Sequence, residues 1–452
     1  MSKKLALTFE QSSAVHCDEN KIIIASGAGV GKTQTLIAFT EARSDDLFLY
    51  LTYSESMKSE ARRKFGKNVH VHSISSLAYK FIGSQFKDKI GSNISIQETM
   101  ELFELNYVDA NAVIKTLTTF FNSDEDVPKK LNNTKLDDIV NIYFSRMIDE
   151  DDFDVTVPHE AYTKYFQILA MDLGYDYIIV DEAQDINKVS RKIIDAQKDA
   201  RKVYVGDPLQ AIYGYRGTVS MLDDPTHHLT QSFRFGKNIA EFVTRFVRRY
   251  IDSEYIVSSE LNNGTFNEAR DRYTYISRTN AHLFDKALEL ANLGDVFHIH
   301  KSEQTLDLLL DGYYKMIGNN DSIKSKYIKS FQSWEHLVGV ADKIDDIELK
   351  YLSRVVSKHK HNILKQVKLI KKHLVSEEYC SVSLVTTHKA KGLEWDNIEL
   401  ANDFTPLIND KTGEIIDPQE LHQEELFILY VAMTRGKKNI VLNSDLNQVL
   451  LG

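Results

Sequence analysis

Lys21-Ile-Ile-Ile-Ala-Ser-Gly-Ala-Gly-Val-Gly-Lys-Thr33 passes from an apolar, β-branched run through a loop of small residues into a helical pattern. That order suits a phosphate, because loop N–H groups and the amino end of the following helix both point at the anion, while glycine lets the backbone approach closely. Lys32 is placed to reach β- and γ-phosphates, and the Thr33 hydroxyl to hold Mg²⁺. The competing reading, a glycine turn beside a surface lysine, does not account for the strand before the loop and the helix after it. Ser26 stands where the pattern usually begins with glycine, and so small a side chain still fits. A second run, Tyr177-Ile-Ile-Val-Asp-Glu-Ala-Gln-Asp185, supplies what the first lacks. Asp181 at the strand end brings a carboxylate for Mg²⁺, and Glu182 can activate the attacking water. Phosphoryl transfer also needs cations at the γ-phosphate. Candidates are Arg234 in Leu229-Thr-Gln-Ser-Phe-Arg-Phe-Gly236 and Arg435 in Leu429-Tyr-Val-Ala-Met-Thr-Arg-Gly436, each of which, alone, reads more readily as a surface salt bridge.

Outward from the loop, eight short apolar runs read as buried strands: 22–25, 47–51, 177–180, 203–205, 273–276, 382–385, 398–401 and 440–442. Continuous runs of this kind, separated by helical patterns, belong to parallel sheets covered by helices on both faces. The class is α/β, and the two groups of runs predict two sheets. Helix-rich stretches at 84–165 and 301–378 read as insertions. The 452 residues are 42% hydrophobic and 27% charged, which excludes disordered, collagen-like and coiled-coil chains. No run approaches the ~18 apolar residues of a membrane span, and the start is too short in apolar residues for a secretory signal. A soluble, intracellular protein is expected, cytoplasmic, with a nuclear location left open. Two cysteines, Cys17 and Cys380, encode neither a disulfide framework nor a zinc site.

Charge resists this picture. With 55 Lys and Arg against 65 Asp and Glu the chain carries −10, which alone argues against a partner as acidic as nucleic acid. The charge is unevenly spread, however. Residues 124–154 and 403–425 are acidic, whereas 349–373 holds bases and no acid. The basic segment reads either as a phosphate-contacting surface or as a solvated helical face, and Lys358-His-Lys-His361 as the latter. The acidic stretch 124–154 is expected to face away from DNA, toward a protein partner.

Taken together, these segments resemble the UvrD/PcrA/Rep group of superfamily 1A DNA helicases, and within it the F-box DNA helicase branch. The resemblance covers nearly the whole chain in the family's order. Leu7-Thr-Phe-Glu-Gln11 is followed by the Lys32 loop, Leu51-Thr-Tyr-Ser-Glu-Ser-Met-Lys-Ser-Glu-Ala61 and Asp181-Glu-Ala-Gln-Asp185. Then come Val205-Gly-Asp-Pro-Leu-Gln-Ala-Ile-Tyr-Gly-Tyr-Arg-Gly217, the Arg234 segment, Ile276-Ser-Arg-Thr-Asn280, Thr386-Thr-His-Lys-Ala-Lys-Gly-Leu-Glu-Trp395 and the Arg435 segment. With only residues 1–20 ahead of the first strand, no F-box is expected there.

The resemblance implies two RecA-like P-loop domains with helical insertions. Residues 1–83 and 166–238 would form domain 1A, 84–165 the insertion 1B, 239–300 and 379–452 domain 2A, and 301–378 a reduced 2B-like insertion. It implies that Gln11 reads adenine, and that Ser26, Gly27, Ala28, Gly29, Val30, Gly31, Lys32, Thr33 and Gln34 line the nucleotide. Phe233 would stack on the base, Glu394 would hold the ribose, and Gln210 would sense the γ-phosphate. Lys32, Asp181, Glu182, Gln210, Arg234 and Arg435 form the catalytic set, with Thr33 and Asp181 on Mg²⁺. UvrD-type proteins carry arginine at the position of Gln34, so a weaker grip on adenine is implied.

For the DNA track the resemblance implies Tyr53, Ser75, Tyr213, Tyr215 and Arg216, with Arg278, Asn280 and His388. Tyr215 replaces a tryptophan and Ser75 a histidine of the family. For any single aromatic, core packing is the competing reading. The implied function is an ATP-dependent, 3′-to-5′ DNA helicase or single-strand translocase in repair, recombination or replication. It would work as a monomer on single-stranded or tailed duplex DNA with ATP and Mg²⁺, away from membranes, with a recombinase, replication protein or nuclease as partner. The alternative is a DNA-stimulated ATPase that strips protein–DNA complexes without unwinding alone.

Overall fold

A computed structural model describes residues 6–52, 55–91, 94–214, 218–262, 264–343 and 347–450. The chain forms two compact units, Met1–Thr230 and Gln231–Gly452. They part at 230/231, so Arg234 itself lies in the second unit.

Unit 1 holds β1 (Lys21–Ser26), β2 (Phe48–Leu51), β3 (Val69–His72), β4 (Tyr177–Asp181), β5 (Ile186–Asn187), β6 (Arg201–Gly206), β7 (Thr218–Val219) and β8 (His227–Leu229). Six of them make a sheet of order β3-β2-β4-β6-β1-β8, parallel throughout. Its strands are apolar on both faces because both are covered. Ile23, Leu49, Leu51, Ile178 and Val180 enter one core, while Ile22, Ile24, Phe48, Tyr50 and Ile179 enter the other. Since all six run one way, their carboxyl ends, including Ser26, Asp181 and Gly206, share one edge, where ligands of such sheets gather. Strands β5 and β7 pair separately and antiparallel.

Helices Ile96–Phe103, Tyr107–Phe121, Thr134–Met147 and His159–Leu169 fill the first insertion. Their Val113, Leu117, Phe120, Tyr143 and Met147 join the first of these cores. At the neck Ile90 bridges Val157. The buried Lys89 ammonium donates to the carbonyls of Arg146, at 3.1 Å, and Asp152, at 2.7 Å, where the helix Thr134–Met147 leaves carbonyls unpaired. Most acids of the acidic stretch are exposed, though some of them are paired. Asp126 pairs with Lys192 at 2.7 Å and Asp152 with Arg146 at 2.5 Å, within unit 1 itself.

Unit 2 holds β9 (Thr265–Phe266), β10 (Tyr273–Ser277), β11 (Phe297–Ile299), β12 (Val382–Thr386), β13 (Trp395–Leu400) and β14 (Gly436–Val441). They form a second parallel sheet, β11-β12-β10-β13-β14-β9. Residues 301–376 leave after β11 and return before β12 as a helical insertion running from Ser302–Met316 to Ile363–His373. Lys358-His-Lys-His361 is not merely a solvated face. Lys358 reaches Asp285 at 2.6 Å and His359 Nε2 lies 3.3 Å from the same carboxylate, tying the insertion to helix Asn280–Leu293. Lys371 pairs with Asp307 at 2.9 Å, whereas Arg354, Lys365, Lys368 and Lys372 stay exposed. Among the described residues no helix is long and apolar enough to cross a membrane.

Candidate functional site

The loop after β1 is shaped by its smallest residues. Gly29 and Gly31 take φ of 73° and 78°, left-handed values that glycine adopts freely. Gly31 caps the helix Lys32–Glu41 without any side-chain hydrogen bond and with no acid in its first turn, so the helix start faces an anion with no competing carboxylate. Ser26 replaces the first glycine at no cost, because its buried hydroxyl turns into the sheet and donates to the Gly206 carbonyl at 2.7 Å. Gly27 N–H donates to Leu229 O at 3.0 Å. Gln11 touches the loop directly: its amide nitrogen donates to Val30 O at 3.2 Å and its amide oxygen accepts from Thr8 N–H at 3.0 Å. Gln34 is exposed at the helix start.

Asp181 closes β4, and Glu182 follows it at φ 57° and ψ 46°, a conformation that costs a residue with a side chain of order 1 kcal/mol or more. The turn aims Glu182 at the loop, where its Oε1 lies 3.0 Å from Lys32 Nζ. Gln184 donates to its other oxygen at 2.5 Å. Asp181 accepts from the Glu182 N–H at 3.0 Å and from the Tyr50 hydroxyl, which reaches it from β2. Burial opposes the charge on Lys32, but Glu182, Asp181 and Asp207 outweigh it and hold the ammonium above its ordinary pKa. One lysine against three carboxylates leaves an excess of negative charge. Burial first, and Glu182 second, push Asp181 up to about 6. Hard oxygen donors carrying surplus charge beside a phosphate loop fit a divalent cation such as Mg²⁺.

Gln210 ends a short helix capped by Asp207, and its amide donates to Asp207 Oδ2 at 2.7 Å. Both are buried, one turn beyond the end of β6. Gly206 has no room for a side chain, since a Cβ there would lie 2.1 Å from Gln184 Oε1.

In unit 2, Arg234 Nε donates to Glu394 at 2.8 Å, and its Nη1 to Thr434 O at 3.1 Å. The two residues expected on γ-phosphate and ribose thus bind each other. Phe233 beside them is 44% exposed, unusual for so large a ring and open to stacking. Arg435 is buried, donating to Val431 O at 2.9 Å and Thr434 Oγ1 at 3.1 Å.

Of the expected DNA contacts, Tyr53, Tyr215 and Arg216 lie outside the described residues. Tyr213 is half-buried, and Ser75 is exposed on helix Ile74–Phe81. Arg278, Asn280 and His388 follow the carboxyl ends of β10 and β12. Arg278 donates to the Glu425 carboxylate through its Nε and Nη2, at 2.8 and 2.6 Å. The Asn280 side-chain oxygen is buried without a hydrogen bond. Sequence reading missed His72 at the end of β3. Burial, then Lys80, Arg62, His70 and Lys58, bring its imidazole down to about 4. Lys80, Arg62 and Lys58 thus lie near enough to His72 to act on it. Its signal in the sequence was the alternation Val69-His-Val-His72, legible only as a strand that ends in a histidine.

A parallel sheet with a glycine loop at its carboxyl edge, a loop lysine and an acid pair on the neighbouring strand define a P-loop nucleotide-hydrolysing class of protein. Comparison narrows the class. A family model described as UvrD-like helicase C-terminal domain matches residues 74–446, and the chain belongs to the UvrD-like helicase family. It is 29% identical to F-box DNA helicase 1 of Gallus gallus over 99% of this chain and 50% of that protein. With F-box DNA helicase protein 1 of Schizosaccharomyces pombe it shares 27% over 98% of this chain and 58% of the relative. With the ATP-dependent DNA helicase PcrA of Staphylococcus epidermidis it shares 23% over 76% and 55%. The chain spans about half the length of these relatives.

Proposed function

We propose that the chain is an ATP-dependent DNA helicase or single-strand translocase of 3′-to-5′ polarity, using Mg²⁺ and working inside the cell as a monomer. The grouping of Lys32, Asp181 and Glu182 at the mouth of the Gly31 loop carries the reading of an ATP-hydrolysing site, and the relatives' names as DNA helicases support DNA as the substrate. Residues 84–165 and 301–378 serve as the 1B and reduced 2B insertions between the 1A and 2A segments. Arrival of the γ-phosphate draws Lys32 from Glu182, which frees that carboxylate to accept a proton from water. Thr33 and Asp181 would hold Mg²⁺, which would supply positive charge beside the phosphoryl oxygens. Arg234 leaves Glu394 for the γ-phosphate, Glu394 takes the ribose, and Arg435 adds a second cation. Gln11 reads the adenine and Phe233 stacks on it. Gln210 links the phosphate to a track made by Tyr53, Ser75, Tyr213, Tyr215, Arg216, Arg278, Asn280 and His388, with the cations around His72 beside it.

Single-stranded DNA should stimulate ATP turnover, and Tyr215→Ala should lower the stimulated rate more than the basal one. Equal losses would put Tyr215 in the core rather than on the track. Strand displacement on 3′-tailed but not 5′-tailed duplexes is the expected polarity. ATPase without displacement would favour the reading suggested by the short 301–378 insertion, an ATPase that strips protein–DNA complexes.

The acid pair also sets a pH limit. The folded-state value of about 6 for Asp181 lies above its ordinary 3.8, so ionising it costs folding stability as pH rises from 3.8 toward 6. The Mg²⁺-binding form is the ionised one. Mg²⁺-dependent ATP binding should therefore weaken about tenfold per pH unit below 6, measured by titrating a fluorescent nucleotide. Undiminished binding at pH 5 would remove Asp181 as the metal carboxylate.

A further inference from the structure

We propose that His298, His300 and Glu377 form a binding site for a transition-metal dication of the Zn²⁺ class, which clips together the two ends of the helical insertion 301–376. The three residues each offer one ligand atom, and these atoms all lie within 4.8 Å of one another. The site shares no ligand with the nucleotide-binding residues and does not depend on the helicase reading.

Two residues apart along the end of β11, His298 and His300 project to the same face of the sheet. Glu377 starts the single turn that leads back from the insertion toward β12. All three are half-buried, which leaves a path for an ion. His300 Nε2 lies 3.5 Å from Glu377 Oε1, close to the ~3.4 Å that separates two ligands of a tetrahedral zinc with bonds of about 2.0–2.1 Å. That nitrogen is buried, and its contact with Glu377 is longer than an ordinary hydrogen bond, which leaves it poorly satisfied by the protein alone.

Partners of the ligands are already in place. His298 Nδ1 lies 3.1 Å from the Val375 carbonyl oxygen, and as a donor there it leaves Nε2 for the metal. The Trp395 indole N–H donates to Glu377 Oε1 at 3.1 Å and fixes the carboxylate, while Arg272 donates to the Glu377 carbonyl at 2.6 Å. Two neutral imidazoles and one carboxylate suit Zn²⁺ or a similar ion with water in the fourth place, and suit Mg²⁺ poorly. The position gives the ion a task. His300 is the last residue before the insertion and Glu377 the first after it, so coordination pins both strands of the neck, where Phe297 already bridges Leu374.

The test is zinc titration of the whole chain in excess Mg²⁺, followed by calorimetry and by hydrogen exchange at residues 297–300 and 374–380. Expected are one Zn²⁺ per chain, slowed exchange at both segments, and a Co²⁺ spectrum of tetrahedral nitrogen and oxygen ligation. His298→Ala and His300→Ala should each weaken binding at least about 100-fold, and Glu377→Gln, which keeps the Trp395 contact and the side-chain shape, about 10- to 100-fold. A wild-type chain with no saturable uptake overturns the proposal. So does Glu377→Gln, folded by circular dichroism, that binds zinc as tightly as the wild type, because the ion then sits elsewhere.

Discussion

Lys32→Ala should abolish ATP hydrolysis, lowering turnover by about 10³-fold or more, the scale on which a γ-phosphate cation acts. Two losses combine. No ammonium remains for the β- and γ-phosphates, and Asp181, Glu182 and Asp207 lose the positive charge of Lys32 just where a polyanion must bind. Nucleotide affinity should fall together with turnover. Folding should suffer less. Truncating one partner of a buried ion pair costs about 3–5 kcal/mol when the other stays charged, but the remaining carboxylates can take up a proton instead. Asp181 is already raised to about 6 by burial and by Glu182, and Lys32 is the cation that restrains it. Without Lys32 the value rises further, so the variant should bind an extra proton near neutrality and melt only modestly lower. Thermal melting with turnover separates the two effects. A folded variant retaining a tenth of wild-type activity would mean that the Gly31 loop is not where hydrolysis occurs.

The limits of sequence reading here follow from burial. The eight strands legible as apolar runs are β1, β2, β4, β6, β10, β12, β13 and β14, all interior to their sheets. The four that escaped notice in those sheets, β3, β8, β9 and β11, are the edges. An edge strand is covered less completely and can be as short as Thr265–Phe266 or carry histidines, as in Val69-His-Val-His72, His227-His-Leu229 and Phe297-His-Ile299. Boundaries drifted for a related reason. Trp395, Asp396 and Asn397 belong to β13 but carry polar or half-exposed groups, so the apolar signal began only at Ile398. The site divides in the same way. Gly31, Lys32, Asp181 and Glu182 announce themselves through local chemistry. The Tyr50 hydroxyl on Asp181, the Arg234–Glu394 pair and the Arg278–Glu425 fork join residues far apart in the chain, and no periodicity reports them.

Glu182→Gln should lower turnover about 10²- to 10⁴-fold, the usual worth of a general base, while ATP and DNA still bind. The substitution keeps size and backbone demand, so the left-handed turn at φ 57° costs the same in both proteins. It also keeps an oxygen for Lys32 at the distance now 3.0 Å. What changes is charge. Glu182 is the second cause, after burial, of the raised Asp181 value, so its neutralisation lets Asp181 ionise at lower pH. The acid limit for Mg²⁺-dependent nucleotide binding should therefore move below 6 even as catalysis is lost. That opposition separates a base from a mere packing residue. If Glu182 only positioned Lys32, the glutamine oxygen would still serve and turnover would hold, although the acid limit would move all the same. If Glu182 is the base, affinity holds or improves, because one negative charge has left a site that must receive a polyanion. Nucleotide affinity across pH, measured beside single-turnover hydrolysis, distinguishes the two, and a near-normal hydrolysis rate would remove Glu182 from the reaction altogether.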